Sequence, residues 1–251
     1  MELKVFGALI ALIVYRILML LLNIRSIVKT KIIKRMNMID VVNDKKIYRI
    51  FVNQSFPTFV GAVLVTPVMM ILIFILKNTP DGIDQVAYFA WNNQVYTLAI
   101  FLPSVLSGYF ISKISFEKDS ARLKVMKYIK YNFIFGFGVV TSLFFLKTKI
   151  LEWGGKEYVI NGSEAYNYML LAIIAYCLNS AYGSYWISIG KFQIGLFVNL
   201  IWATIVILLS FILIKEYMYT NEVIFISLFV GYIFIFILQL LFFFNKRKLF
   251  L

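Results

Sequence analysis

Very few side chains in this 251-residue sequence could do chemistry in an apolar setting. Arg16 sits inside the apolar run 5–24. Asn92, Asn93 and Gln94 stand together in the run 86–111, and Asn179 and Tyr182 lie three apart in the run 165–189. An arginine near the middle of a bilayer costs at least about 2.5 kcal/mol on insertion scales, so it turns toward protein or a water-filled cavity, where it attracts an anionic group. Snorkelling is the competing role: Arg16 lies about eight residues, roughly 12 Å, from the far end of its segment. Three consecutive residues fan around a helix, so at least one of Asn92, Asn93 and Gln94 faces neighbouring helices. That residue either makes interhelical hydrogen bonds, worth roughly 0.6 kcal/mol each, or lines a sugar-accepting cavity. Asn179 and Tyr182 share a helix face at i, i+3, and Asn199 is placed to answer Asn179 from the next segment. Gly183 and the serines beside it suit close helix approach, and Tyr182, Tyr185 and Trp186 suit an interfacial aromatic belt.

The residues that are missing narrow the chemistry further. There is no histidine and one cysteine, Cys177, which removes the commonest general base and metal ligand and any internal disulfide. Cys177 falls mid-segment, where a small buried hydrophobe is its expected role. No Gly-rich phosphate loop, cysteine cluster or pair of carboxylates within an apolar run is present. The sequence therefore predicts no catalytic residue, no metal site and no cofactor.

What must position these side chains is a set of seven apolar segments, 5–24, 56–76, 86–111, 128–146, 165–189, 192–214 and 223–244. Most match the roughly 20 residues a helix needs to cross a bilayer. With 62% hydrophobic and 15% charged residues, the composition departs from that of a soluble domain. Backbone polar groups go unpaired in lipid unless the span is a helix or a closed barrel, and barrel-type alternation is absent. The expected fold is all-α, a polytopic bundle of seven transmembrane helices. Of the 25 basic residues, 18 fall in or beside alternate connections and the C-terminal tail, and five in the opposite connections. The positive-inside rule makes the rich face cytoplasmic, with the N-terminus outside and the C-terminus inside. The net charge of +13 then reflects topology and anionic headgroups rather than nucleic acid, which is not an expected partner.

Four regions follow: a single span over 1–24, a basic cytoplasmic linker over 25–53, a six-helix lobe over 54–244 and a basic tail over 245–251. The linker has a roughly helical apolar pattern that fits either a helix lying on the membrane surface or a solvated connector. Pro57 falls at a helix start, where its missing donor costs little. Pro67 and Pro103 fall mid-span, where each is expected to kink its helix. Gly190-Lys191 joins two segments as a tight antiparallel hairpin.

The stretch from Phe56-Pro57 through Pro67, then Ala90-Trp91-Asn92-Asn93-Gln94, Phe101-Leu102-Pro103, Ser107 and Ile111-Ser112-Lys113-Ile114-Ser115, resembles the bacterial polysaccharide flippases. These are the O-antigen and capsule exporters of the multidrug/oligosaccharidyl-lipid/polysaccharide superfamily. The resemblance covers 53–244 in layout and its specific motif runs to about residue 115. It implies the second six-helix lobe of a twelve-helix transporter, preceded by the last helix of a first lobe. It further implies the bacterial inner membrane, an undecaprenyl-diphosphate oligosaccharide as cargo and alternating access between lobes. A separate N-terminal lobe or a second copy, together with membrane lipids, would be its partners. Three other readings stand beside it: a membrane polymerase or acyltransferase, a multidrug exporter of the same superfamily, and a non-transporting remnant.

Overall fold

The computed structural model describes residue 17 and residues 45–116, 121–216 and 220–244. Arg16, nearly all of the first apolar segment, the linker up to residue 44 and the basic tail lie outside the described residues. The chain divides into two units, Met1–Phe51 and Val52–Leu251. In the first, Lys45–Ile50 forms a short helix, α1, with Tyr48 exposed.

The second unit is built of helices. A π-helical turn, Phe51–Ser55, leads into α2, Phe56–Val63, and α3, Val65–Lys77. Then come α4, Gly82–Phe116; α5, Ala121–Gly154; the short α6, Lys156–Asn161; α7, Ser163–Ser188; α8, Phe192–Glu216; and α9, Glu222–Phe244. No strand occurs among the described residues. Six helical stretches there are long and apolar enough to cross a membrane, beginning with Tyr48–Lys77, and the chain is a multi-pass membrane protein.

Two helices outrun the apolar segments that announce them. α5 starts at Ala121, ahead of Lys124, Lys127 and Lys130, and continues to Gly154, beyond Lys147 and Lys149. Lysines near the ends of a span carry their charges into the headgroup region while the backbone keeps its hydrogen bonds. The expected outer connection 147–164 is therefore mostly helix once the end of α5, α6 and the start of α7 are taken together.

Neither mid-span proline ends its helix. Pro67 has no N–H to offer the carbonyl of Val63, four residues back, but Leu64, between α2 and α3, keeps helical φ and ψ; its N–H donates to the Val60 carbonyl at 3.0 Å and its carbonyl accepts from the Val68 N–H at 3.2 Å. α4 runs through Pro103 without interruption. The Pro103 carbonyl accepts a bond from the Tyr128 hydroxyl at 3.4 Å.

α7 is the centre of the bundle, packed against α4, α5 and α9. It is the least apolar of the six spans and the most buried. A helix surrounded by protein can carry polar side chains that lipid-facing helices cannot, because its neighbours satisfy them. Small residues let the neighbours in. A Cβ at Gly136 of α5 would lie 2.8 Å from the Cys177 Sγ, and one at Gly231 of α9 would lie 2.7 Å from the Val206 Cγ2. Cys177 is fully buried, as a small hydrophobe. The expected aromatic belt is not one. Tyr182, Tyr185 and Trp186 are buried with Ile114, Val125 and Phe243 in a second apolar cluster, where α4, α5 and α9 pack on α7.

The α7–α8 hairpin closes as a Schellman motif. Gly190 takes a φ of +76°. Its N–H donates to the Ile187 carbonyl at 3.0 Å, and the Lys191 N–H donates to the Trp186 carbonyl at 2.8 Å. Glycine fits here because it carries no Cβ penalty in the left-handed region.

Candidate functional site

α2 packs against α8, with Gly61 beside Asn199. Together with α7 and α9 they enclose a cavity of about 320 Å³. Pro57 and Gly61 on α2, Asn179 and Gly183 on α7, Asn199 on α8, and Tyr232 and Gln239 on α9 line it. Every residue around it is uncharged. Gly183 does not serve close helix packing: a Cβ there would meet nothing within 4 Å, so the residue keeps space open.

A chain of side-chain hydrogen bonds runs along one wall. The Trp186 indole N–H donates to the Gln239 Oε1 at 3.1 Å. The Gln239 Nε2 donates to the Asn179 Oδ1 at 2.8 Å. The Asn179 Nδ2 donates to the Tyr232 carbonyl at 2.7 Å and to the Ala175 carbonyl at 2.9 Å. An indole can only donate, so Trp186 fixes the orientation of both amides. Tyr232 joins a second group, in which the Tyr96 hydroxyl donates to the Tyr232 hydroxyl at 3.1 Å. The Tyr232 ring stacks on Trp202 at 5.6 Å and meets Tyr176 edge-on at 5.7 Å.

Asn179 and Asn199 line the same cavity without bonding each other; the partners of Asn179 come from α7 itself and α9. Asn199 lies against α2, its Nδ2 3.2 Å from where a Cβ of Gly61 would stand. It makes no hydrogen bond to another described residue. Tyr182 is away from the cavity, with its ring edge-on to Phe236 at 5.8 Å and to Phe243 at 5.7 Å.

Asn92, Asn93 and Gln94 are not brought together. Asn92 is fully buried and donates to the Gly162 carbonyl at 3.0 Å, tying α4 to the turn before α7. Asn93 is half-buried, with its Oδ1 unpartnered among the described residues. Gln94 is exposed along a separate groove between α4 and α5.

The sequence reading passes over three residues that matter here. Gln239 is one amide in a run of leucines and phenylalanines. Tyr232 looks like any other aromatic of α9. Asn132 of α5 is buried and donates to the Ser180 Oγ at 2.7 Å. A lone amide inside a long apolar run is the signal that picks out Gln239 and Asn132, since such groups must find partners in lipid.

No family model matches the chain, and no curated protein matches it. Among solved structures it aligns with a crystal structure of MATE in complex with MaL6, with a TM-score of 0.72 at 11% sequence identity. The alignment covers 84% of this chain and 49% of that one. The fold resembles that of a MATE transporter. At that identity the likeness establishes the fold alone, and the chain spans about half the length of that structure.

Proposed function

We propose that this chain is one six-helix lobe of a transporter that moves a lipid-linked oligosaccharide across the bacterial inner membrane. The observation that carries the reading is the likeness of its helices to half of a MATE transporter. The residues from Phe56 to Ser115, which resemble the polysaccharide flippases, point to the cargo. The uncharged cavity offers the Asn199 amide, which suits a sugar hydroxyl, beside the bonded pair Asn179 and Gln239.

In this reading the lobe rocks against a second lobe, and the headgroup crosses between them while the lipid tail stays in the bilayer. The hydrogen bond that Pro67 cannot make to Val63 gives this helix a flexing point between α2 and α3, at the edge of the cavity. The wall of α7 and α9, held by the Trp186–Gln239–Asn179 chain, stays rigid. A lobe alone cannot close both ends of a path that runs between two lobes.

The test uses inverted membrane vesicles from the host cell, with and without the chain. A fluorescent undecaprenyl-diphosphate oligosaccharide is offered on the outer face of the vesicles, and its protection from an impermeant quencher is followed. Faster protection in vesicles holding the chain is expected. Equal rates in the two preparations overturn the reading.

A further inference from the structure

One amide of the cavity between α2, α7, α8 and α9 stands apart from the rest of its polar lining. The Thr58 hydroxyl donates to the Gln54 carbonyl at 2.7 Å, and the Ser180 hydroxyl to the Cys177 carbonyl at 2.9 Å. Asn179 and Gln239 bond each other. The hydroxyls of Tyr176 and Tyr232 bond Ser104 and Tyr96 at 2.9 and 3.1 Å. Asn199 is the one polar lining residue without a hydrogen bond to a described residue.

Its depth gives that consequence. Asn199 lies about seven residues into α8 from Phe192, roughly 10 Å along the helix, inside a stretch long and apolar enough to cross a membrane. At that depth an unpaired amide costs free energy until water or a ligand pairs with it. Space for a ligand lies on two sides. A Cβ at Gly183 of α7, or at Gly195 one turn before Asn199, would meet nothing within 4 Å.

The lining selects the class of occupant. Every residue around the cavity is uncharged, so an ionised group of either sign would shed its water without gaining a counter-charge. A plain alkyl chain would leave the amide unpaired. A primary amide presents donors and an acceptor side by side, which matches two neighbouring hydroxyls of a sugar, one accepting and one donating. Tyr176 and Tyr232 also line the cavity, and the negative face of an aromatic ring attracts the C–H groups of a pyranose. A volume of about 320 Å³ is at the low end for small-molecule pockets, which run roughly 300–1,000 Å³, and suits a single ring rather than a chain of them.

Resting on the transporter reading for the class of ligand, we infer that the cavity binds one uncharged sugar ring, held by Asn199 through adjacent hydroxyls, and rejects sugars that carry a carboxylate.

The test is saturation-transfer NMR of the full chain in phosphatidylcholine nanodiscs, which carry no sugar headgroup of their own. The probes are the methyl glycosides of glucose, galactose, mannose, N-acetylglucosamine and glucuronic acid. Binding of at least one neutral glycoside is expected, with the glucuronide weaker by about tenfold or more. Asn199→Leu should weaken that binding about tenfold, and Gly183→Leu, which fills the cavity, should abolish it. Leu208→Ala, at an exposed position of α8, should change nothing. Thermal unfolding matched to the unsubstituted chain shows that binding is read on folded protein; should Asn199→Leu not fold, Gly183→Leu decides alone. No binding by any neutral glycoside, a glucuronide that binds as well as they do, or equal binding in the chain and its cavity variants overturns the inference. Sugar binding without transport in the vesicle assay upholds the cavity site and removes the transporter reading, and transport without sugar binding does the reverse.

Discussion

Replacing Gln239 with leucine strikes the polar wall of the cavity at its middle link. The substitution keeps an apolar body of similar size but removes two hydrogen bonds, from Trp186 at 3.1 Å and to Asn179 at 2.8 Å. At roughly 0.6 kcal/mol for an average bond in a membrane bundle, the loss is about 1.2 kcal/mol. Both partners are held inside the protein, and a buried indole N–H left without an acceptor costs about 1–3 kcal/mol. The expected destabilisation is therefore about 1–3 kcal/mol. Equilibrium unfolding in mixed micelles measures it, and a double-mutant cycle with Trp186→Phe isolates the link. Phenylalanine removes the donor, so Gln239→Leu should cost less in its presence, with a coupling of about 0.5–1.5 kcal/mol. Strictly additive losses, or a Gln239→Leu chain as stable as the original, would refute the idea that this chain of amides holds α7 to α9.

Four further outcomes follow, two from the packing and two from the sequence and the proposed function. Gly136→Ala should destabilise by about 1–3 kcal/mol through overpacking on Cys177, with partial recovery in the Gly136→Ala, Cys177→Ala pair; unfolding midpoints check both. Gly183→Leu, entering open space, should leave the midpoint within about 0.5 kcal/mol while slowing transport in the vesicle assay, because it fills the cavity. A cysteine placed at Lys156 should react with an impermeant maleimide on intact cells and one at Lys45 should not, with native Cys177 silent because it is buried; the reverse pattern would invert the proposed orientation. Arg16→Ala should lower export at matched protein level and Arg16→Lys should lower it less, since lysine keeps the charge but not the forked donors.

The helical class, and the six spans that the described residues contain, were legible because lipid leaves a chain little choice: long apolar runs must be helices. The extents were less legible. Lysines near Tyr128 and Leu146 end an apolar run without ending a helix, so α5 extends past both. Pro67 and Pro103 carry the same local signal for a kink, and the helix continues past both: Leu64 keeps helical φ and ψ between α2 and α3, and α4 is unbroken.

The cavity was half legible. Asn179 and Asn199 stood out as amides in apolar runs, but their spacing could not say that Gln239, 60 residues on, is the partner of Asn179. Tyr182 shared a predicted face with Asn179 yet packs into the apolar cluster with Phe236 and Phe243, because three residues of turn along α7 suffice to change neighbours. Asn92, Asn93 and Gln94 looked like a cluster in sequence, and a 100° step per residue sends them to three different surroundings.

The central claim concerns cargo, and it is tested most directly by removing the chain from its host. Lipid-linked oligosaccharide and surface polysaccharide are then measured in the same cells. The account predicts that undecaprenyl-diphosphate oligosaccharide accumulates with its headgroup on the cytoplasmic face while surface polysaccharide falls. Re-expression of the original chain should restore both, and Gly183→Leu at the same protein level should not. Unchanged precursor and unchanged surface polysaccharide after removal would contradict it.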